Sequence, residues 1–440
     1  MTGTQLSGLD VAFLCLESES SPMHMGAVVT FRPRRPVDPD RLAALLAERA
    51  ARTPRLRRQV RPTIFPPGGA MWTEDPAFDA REHIHVHRLT DLYESEPLAE
   101  YAAEWIEQPL DTGRPLWDAH VVTGLPGDRF ALLLKLHHAL TDGAGAFAVA
   151  CGLLDETAVT RRAAAAEART EGRAASPLAA LRAGVSAAIS EAGENAGIAS
   201  AVLRAARPYP VSPLSAPNSP SRRLGFVRLD LADVRRIRGA HGGTANDVLL
   251  AVLSGALREW LLNRGRRVDD RPLRALVPVS LRGREGNRAA NQLSGYLCEL
   301  PVHVDDPVER LRAVRRSMNR SKAAGSSAGA GAIPILADRL PPAVHRVATR
   351  FAGQAAGLLF DTVITNVPLP SVPLALDGAP LREVYPLVPL APRHAVGIAV
   401  SIYRDWVHIG LQANGEEVPD LGSLRDGVVK SVAALHDRCP

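Results

Sequence analysis

The sequence LHHALTDGAG, which runs from Leu136 to Gly145, is the stretch that decides the fold. Before it, Phe130 to Leu136 is apolar except for Lys135, a pattern typical of a strand that is buried on both faces. After it, Ala144 to Leu154 is small and apolar on every side, which predicts a buried helix. Two histidines therefore end a strand and precede a glycine-containing turn into a helix. Because open α/β sheets place their chemistry at this position, we predict a catalytic site here.

His137 and His138 are the first candidate catalytic residues. Successive side chains of an extended chain point to opposite faces, so one of them is expected to reach the substrates. A neutral imidazole takes a proton from an alcohol near neutral pH without a costly pKa adjustment, and we predict that His138 is this general base. An isolated histidine more often belongs to the core. Here a histidine pair, an acid and a glycine coincide at one turn, which favours catalysis.

Asp142 and Gly143 complete the candidate catalytic set. Asp142 either orients the imidazole, or anchors the turn by pairing with an arginine, which we favour, or merely caps the following helix. Gly143 is expected to permit either a positive φ or a close backbone approach where an added Cβ would block substrate.

Composition limits the classes of function. With 440 residues, the chain is longer than one ordinary core needs. The net charge of +5 comes largely from arginine and forms no dense basic block, which disfavours nucleic acid as a partner and suits anionic lipid headgroups or the phosphates of coenzyme A. Four cysteines lie far apart, which indicates a reducing compartment and no structural zinc. Without an evident signal peptide or an apolar run of about 20 residues, we expect a cytoplasmic protein with, at most, peripheral membrane contact.

The His-His-x-x-x-Asp-Gly pattern resembles the active-site motif of the bacterial wax ester synthase/acyl-CoA:diacylglycerol acyltransferase family. That family lies in the chloramphenicol acetyltransferase-like superfamily, which also contains peptide-synthetase condensation domains. Further segments resemble the acyltransferase family in the same order along the chain: Asp10 to Leu14, Pro22 to Gly26, Pro54 to Arg58, Trp72 to Asp79, Pro115 to Trp117, Val277 to Arg282 and Val363 to Pro370. In the last of these, Leu369 stands where the family's pattern has glycine, a departure that bears on the shape of that loop.

Trp117, Asn246 and Asp247 are candidates for binding substrate or supporting the site. Trp117 suits equally a core anchor with its N–H paired and a wall of the acyl or alcohol channel. Asn246 and Asp247 match an Asn-Asp motif that, by the resemblance, supports the site. Asp247 also comes three residues after Thr244, which is close to a capping box, and both roles are compatible.

Ser280, Arg282 and Asn291 belong to the same candidate group. No G-x-S-x-G sequence surrounds Ser280, so we interpret its hydroxyl as a hydrogen-bond donor to substrate and not as a nucleophile. Arg282 is expected to form a salt bridge or to contact phosphate. Asn291 precedes an apolar strand, an order that also resembles the family.

The remaining histidines near the N-terminus carry less weight. His83, His85 and His87 alternate along the chain and would share one face of a strand, where they could in principle hold a metal. No carboxylate or cysteine completes that set at a suggestive spacing, so no metal site is expected. We interpret His24 as a half-buried strand residue.

The predicted fold is α/β with two chloramphenicol acetyltransferase-like lobes, each a mixed sheet flanked by helices, and an active-site tunnel between them. The predicted lobes cover residues 1–155 and 222–440, and an Ala/Pro-rich connector covers residues 156–221. Within the connector, Leu178, Leu181, Val185 and Ile189 form a stripe that predicts a packed helix.

The resemblance implies transfer of a fatty acyl group from acyl-CoA to diacylglycerol or a long-chain alcohol, with acyl-CoA as co-substrate and no cofactor. An acyltransferase for a specialised-metabolite alcohol or amine is one alternative. The other is a lipid-binding or lipid-droplet surface protein without turnover. The intact His138, Asp142 and Gly143 argue against the second, since binding alone needs no base.

Overall fold

The computed structural model describes residues 3–64, 68–90, 96–171, 212–268, 271–280, 293–324, 345 and 359–440. The strands are β1 Thr4–Gln5, β2 His24–Phe31, β3 Arg58–Pro62, β4 Ala70–Glu74, β5 Ile84–Arg88, β6 Trp117–Leu125, β7 Arg129–His137, β8 Arg222–Asp230, β9 Leu273–Ser280, β10 Leu293–Leu300, β11 Thr362–Pro368, β12 Ala375–Leu376, β13 Ala379–Leu387, β14 Val396–Tyr403 and β15 Trp406–Asn414. The helices are α1 Gly8–Leu16, α2 Pro39–Ala51, α3 Pro97–Glu107, α4 Gly143–Leu153, α5 Ala158–Glu171, α6 Leu231–His241, α7 Ala245–Asn263, α8 Pro307–Ala324 and α9 Leu421–His436.

Strand β7 is the centre of the N-terminal sheet, whose order is β12-β13-β2-β7-β6-β5. It is buried at every position after Arg129 and pairs antiparallel with β2 and β6, which confirms the predicted strand. Its apolar side chains alternate between two clusters, one containing residues of α2 and α4, the other residues of α3. Lys135, the charged residue in this run, donates hydrogen bonds from Nζ to the carbonyl oxygens of Trp105 (2.7 Å) and Gln108 (3.0 Å), at the carboxyl end of α3. Free carbonyls at a helix C-terminus favour a cation, so the lysine is stabilised inside the apolar run.

The second sheet has the order β10-β9-β11-β14-β15-β8 and mixes parallel with antiparallel pairs. Helix α7, the long apolar helix predicted after Thr244, is buried from Asp247 to Leu257. Its apolar side chains share a core cluster with residues of α6, α8, α9 and the sheet. The two-lobed α/β architecture is therefore confirmed.

The predicted lobe boundaries need one correction. Residues of β12 and β13, placed by sequence in the C-terminal lobe, form one edge of the N-terminal sheet, with Leu387 opposite Gly26 and Leu381 opposite Phe31. Strand β2 would otherwise present a row of unpaired backbone groups, so a strand from the other lobe satisfies them. The start of the predicted connector is helix α5, which packs against α4. The stripe Leu178, Leu181, Val185 and Ile189 lies outside the described residues.

The two sheets meet where β13 faces β8 and β15. Glu383 on β13 accepts hydrogen bonds from Thr30 Oγ1 on β2 (2.9 Å) and from Arg228 Nη1 on β8 (2.9 Å), so one carboxylate joins strands of both sheets. Nearby, Gly410 on β15 lies against the backbone of Pro386, and an added Cβ would overlap the Pro386 carbonyl oxygen. Close contact between the lobes therefore depends on a glycine at position 410. None of the described helices has the length and apolar character that crossing a bilayer requires.

We expect Gly410→Ala to lower the thermal unfolding midpoint, because the new methyl group must push the two sheets apart, which costs about 1–3 kcal/mol. Gly239→Ala is the matched control. Its Cβ would meet no atom within 4 Å, and it lies inside helix α6, where alanine is favoured over glycine by about 0.5–1 kcal/mol. Thermal unfolding followed by circular dichroism compares the two variants. Equal midpoints for Gly410→Ala and wild type would contradict the proposed lobe contact.

Candidate active site

The turn that follows β7 is held by backbone hydrogen bonds to the residues that immediately precede β6 and β2. The His137 N–H donates to the Leu116 carbonyl (3.0 Å), and the His138 N–H donates to the Met23 carbonyl (2.8 Å). The Leu140 N–H then donates back to the His137 carbonyl (2.9 Å), which closes the turn. His138 is therefore placed at a fixed point beyond the end of the strand.

His137 is fully buried, and its ring is held from both sides. Its Nδ1 accepts a hydrogen bond from the Ala139 N–H (3.0 Å), so the proton of the neutral ring is on Nε2. That Nε2 lies 3.3 Å from Glu17 Oε2. His137 thus connects the turn to a carboxylate at the end of α1, and His138 has different surroundings, as the alternation of side chains along a strand predicts.

Glu17 also reaches His24, with 3.3 Å between Oε1 and His24 Nε2. Burial raises the pKa of Glu17, but the hydrogen bonds and charges of His137 and His24 outweigh burial and hold this pKa well below its usual range. Burial lowers the pKa of His24, against the opposing effect of Glu17. The sequence predicted a half-buried His24, and this is wrong. The side chain is fully buried, within this polar cluster. Sequence reasoning missed Glu17, because nothing near it in the chain indicates a histidine partner.

His138 is partly exposed, and its ring stacks on Phe13 with the centroids 4.0 Å apart. Burial lowers the pKa of His138 to about 4, while a hydrogen bond with its own backbone acts in the opposite direction. The imidazole is therefore neutral at pH 7 and able to accept a proton. Phe13 fixes the plane of the ring, a role that the sequence did not assign to it.

Asp142 is the N-cap of α4, and its Oδ1 accepts a hydrogen bond from the Gly145 N–H (2.8 Å). This confirms the capping interpretation. The buried Arg55 anchors the same turn by donating from Nη1 to the Leu140 carbonyl (2.7 Å), while a pairing of Asp142 with an arginine stays a prediction.

One of the two alternatives predicted for Gly143, a positive φ, is wrong. Gly143 begins α4 without a positive φ, because the helix sets its backbone conformation, and an added Cβ would meet no atom within 4 Å. The space beside Gly143 is open, and the second alternative, that a Cβ there would block substrate, stays a prediction.

Trp117 is buried, and its indole N–H donates to the Leu56 carbonyl (2.8 Å), which confirms the core anchor. Asp247 forms the predicted capping box, since the Asp247 N–H donates to Thr244 Oγ1 (3.2 Å) and the Thr244 N–H donates to Asp247 Oδ2 (2.8 Å). Asn246 is partly buried in the first turn of α7. Their participation in substrate binding stays a prediction.

Ser280 is the last residue of β9, and its backbone pairs with Leu293. Arg282 and Asn291 lie outside the described residues. Leu369 has no positive φ, so it does not need a glycine's backbone freedom, and its side chain packs against the core cluster of the N-terminal lobe. The loop after β11 is therefore joined to the opposite lobe.

A possible metal-ligating set lies on β5 and β6, apart from the turn. Within the described residues, His85, Asp118 and His120 are the three that place imidazole nitrogens and a carboxylate within 4.8 Å of one another. His83 is not part of it, and its Nδ1 lies 2.9 Å from the Trp117 carbonyl oxygen.

Comparison with known proteins places this geometry among acyltransferases. The catalytic-domain family model described as "Wax ester synthase/diacylglycerol acyltransferase" matches residues 6–249, and the corresponding C-terminal domain matches residues 289–436. A Mycobacterium tuberculosis protein named "probable diacylglycerol O-acyltransferase" is 32% identical over 98% of this chain and 95% of its own length. The solved wax ester synthase/diacylglycerol acyltransferase of Marinobacter aquaeolei VT8 has 26% identity and a TM-score of 0.71, and the match covers 98% of each chain. The starter condensation domain of rhizomide synthetase shares the fold, with a TM-score of 0.61, 16% identity and coverage of 100% of this chain and 95% of that one.

We expect Glu17→Gln to destabilise the protein at pH 7 by about 1–3 kcal/mol, because a charge-assisted contact with His137 is lost in a buried cluster. The folded-state pKa of Glu17 is depressed, so its contribution is fully present above the ordinary value of 4.5 and is lost progressively as the pH falls from that value towards the folded-state pKa. Urea unfolding at pH 7 and near pH 3 measures both effects.

The exposed Glu19, two residues further along the chain, is the matched control as Glu19→Gln. A Glu17→Gln variant as stable as Glu19→Gln at pH 7 would show that the carboxylate is not needed. A loss of stability in Glu17→Gln, relative to wild type, that is as large at low pH as at pH 7 would lead to the same conclusion.

Proposed function

We propose, because this chain belongs to the wax ester synthase/diacylglycerol acyltransferase family, that it transfers a fatty acyl group from acyl-CoA to a hydroxyl of diacylglycerol or of a long-chain alcohol. The observation that carries the proposal is a neutral, partly exposed His138 just after a buried strand, in the turn that leads to Gly143, where an added Cβ would meet no atom within 4 Å. A base in that position favours a catalytic role over a binding role, because binding a lipid requires no base.

The transfer proceeds directly between the two substrates. His138 removes the proton of the acceptor hydroxyl, and the oxygen attacks the thioester carbonyl. The new ester C–O bond forms, the C–S bond breaks, and the imidazolium gives its proton to the departing thiolate, which leaves as coenzyme A. The depressed pKa of His138 keeps the ring unprotonated at pH 7 and makes its protonated form a stronger acid towards the thiolate, and it also makes the ring a weaker base towards the hydroxyl.

The substrates meet between the lobes. Helix α4 contacts β11 of the second sheet, and Leu369 after β11 packs on the N-terminal core, so residues of both lobes lie near the turn. A tunnel in this position would align the substrates and exclude water, which competes with the alcohol as acceptor. Asn246 and Ser280 are the candidate donors to the developing oxyanion, and Arg282 is a candidate contact for the phosphates of coenzyme A.

Diacylglycerol and fatty alcohols are located in membranes and lipid droplets, so peripheral contact with such a surface belongs to the proposal. The net charge of +5 supports it. So does a cavity of about 630 Å³ whose lining includes five arginines: Arg32, Arg129, Arg228, Arg382 and Arg404.

We expect wild-type protein to release coenzyme A from palmitoyl-CoA only when an acceptor is present, with dioleoylglycerol and hexadecanol tested separately. His138→Ala should reduce this release by roughly 10²- to 10⁴-fold, the usual contribution of a general base. His436→Ala, on the last helix, is the control. Near-normal turnover by a folded His138→Ala protein would rule out this mechanism. Stoichiometric lipid without coenzyme A release by wild type would instead favour a binding protein.

We expect Gly143→Ala to fold normally but to lose roughly 10- to 100-fold in kcat/KM, because its methyl group enters the space that the substrates occupy. Gly239→Ala, whose Cβ also meets no atom within 4 Å, should keep full activity. Steady-state kinetics with varied acceptor, alongside thermal unfolding, separates loss of function from loss of stability. Full activity of Gly143→Ala would show that the open space is not the substrate site.

A further inference from the structure

The outer edge of the N-terminal sheet brings three metal-ligating side chains together through backbone geometry alone. Asp118 and His120 are two residues apart on β6, so their side chains lie on the same face of the sheet. Strand β5 pairs parallel with β6, and the register places His85 directly beside His120. The sequence did not indicate this set, because the carboxylate comes from the neighbouring strand and not from the His83 to His87 segment.

The distances within the set fit one small dication. Asp118 Oδ1 lies 3.3 Å from His85 Nε2, and Asp118 Oδ2 lies 3.3 Å from His120 Nε2. Two ligands of a tetrahedral zinc ion with bonds of about 2.0–2.1 Å are about 3.3–3.4 Å apart. The carboxylate therefore stands at ligand-to-ligand distance from both imidazoles.

Helix α3 supplies the outer contacts that metal ligands usually have. Tyr101 Oη lies 2.6 Å from His120 Nδ1, which leaves Nε2 as the nitrogen that faces Asp118. The Trp105 indole N–H donates to Asp118 Oδ2 (2.7 Å) and orients the carboxylate. Such partners fix the tautomer and the direction of a ligand before the metal arrives.

The set is accessible from solvent. It lines a groove of about 450 Å³ between α3 and the sheet, with Glu82, Glu104 and Asp111 also in the lining. The side chain of His85 is 52% exposed, so an ion and a water ligand have a route to it. Lys135 is a competing cation, with Nζ 3.9 Å from Asp118 Oδ2, but it is held on the carbonyls of Trp105 and Gln108.

We propose that His85, Asp118 and His120 bind a transition-metal dication of the Zn²⁺ type, with a further coordination position open to the groove. Two histidines and one carboxylate form a donor set that zinc and its neighbours in the first transition row accept. The metal joins the edge strand β5 to β6 and, through Tyr101 and Trp105, to helix α3. The site lies apart from the turn at His138 and takes no part in acyl transfer.

The test is a zinc titration of tag-free, chelator-treated full-length protein by calorimetry, with the visible absorption of bound Co²⁺ as a second readout. Wild type should bind one Zn²⁺ per chain and unfold at a higher temperature with zinc than without it. His85→Asn and His120→Asn should weaken binding at least tenfold. Asparagine at 120 can still contact Tyr101 but lacks Nε2, and position 85 is exposed enough to tolerate the change.

His87→Asn is the matched control, because His87 lies on the same strand two residues from His85, stacks on Tyr101 and is outside the set. Glu17→Gln tests the other histidine–carboxylate cluster. Retained zinc affinity in both controls, with loss in the two set variants, supports the proposal. Failure of wild type to bind Zn²⁺ or Co²⁺, unchanged affinity in the set variants, or an equal loss in either control would overturn it.

Discussion

The contact between Glu17 and His137 is the constraint on which the site depends. Strand β7 ends at His137, and the residues after it turn sharply toward α4. The Ala139 N–H donates to one nitrogen of the His137 ring, and the other nitrogen faces Glu17. Burial alone would favour a neutral Glu17, yet the two histidines keep its pKa low. A partly buried carboxylate held between two buried histidines restricts their rings, and through His137 it helps to fix the turn that carries His138.

The two lobes are not independent units, because the C-terminal part of the chain contributes strand β13 to the N-terminal sheet. Strand β13 completes the N-terminal sheet beside β2, although it comes after most of the second sheet in sequence. Its Glu383 accepts hydrogen bonds from both sheets, and Gly410 permits the close approach of β15 to its backbone. A change in the angle between the lobes would therefore disturb strand pairing and not only a surface contact. The position of β11 and Leu369 relative to His138 therefore depends on the strand pairing that joins the two lobes.

Local patterns predicted the local structure and did not predict the contacts between distant segments. The apolar run before His137, the capping position of Asp142 and the capping box at Asp247 depend on neighbours within a few residues, and each is present. The partner of His137 and the strand beside β2 come from distant segments, which hydrophobic periodicity cannot pair. At Gly143 the sequence offered two reasons for glycine, a positive φ and space for substrate, and the pattern alone could not choose between them. The structure shows no positive φ and an open space where a Cβ would stand.

The two faces of the N-terminal sheet, and the turn that follows it, separate the proposed metal site from the base. Along β7, alternate side chains from Phe130 to Leu136 enter the apolar cluster of α2 and α4, while Lys135 and His137 lie on the face of α3. The same face carries Asp118 and His120 on β6, so its charges are grouped in one layer. His138 comes after the strand and is placed by the turn, next to Phe13. Among the described residues, no carboxylate is one of the groups that shift the pKa of His138. The protonated ring therefore stays acidic enough to return a proton to a thiolate.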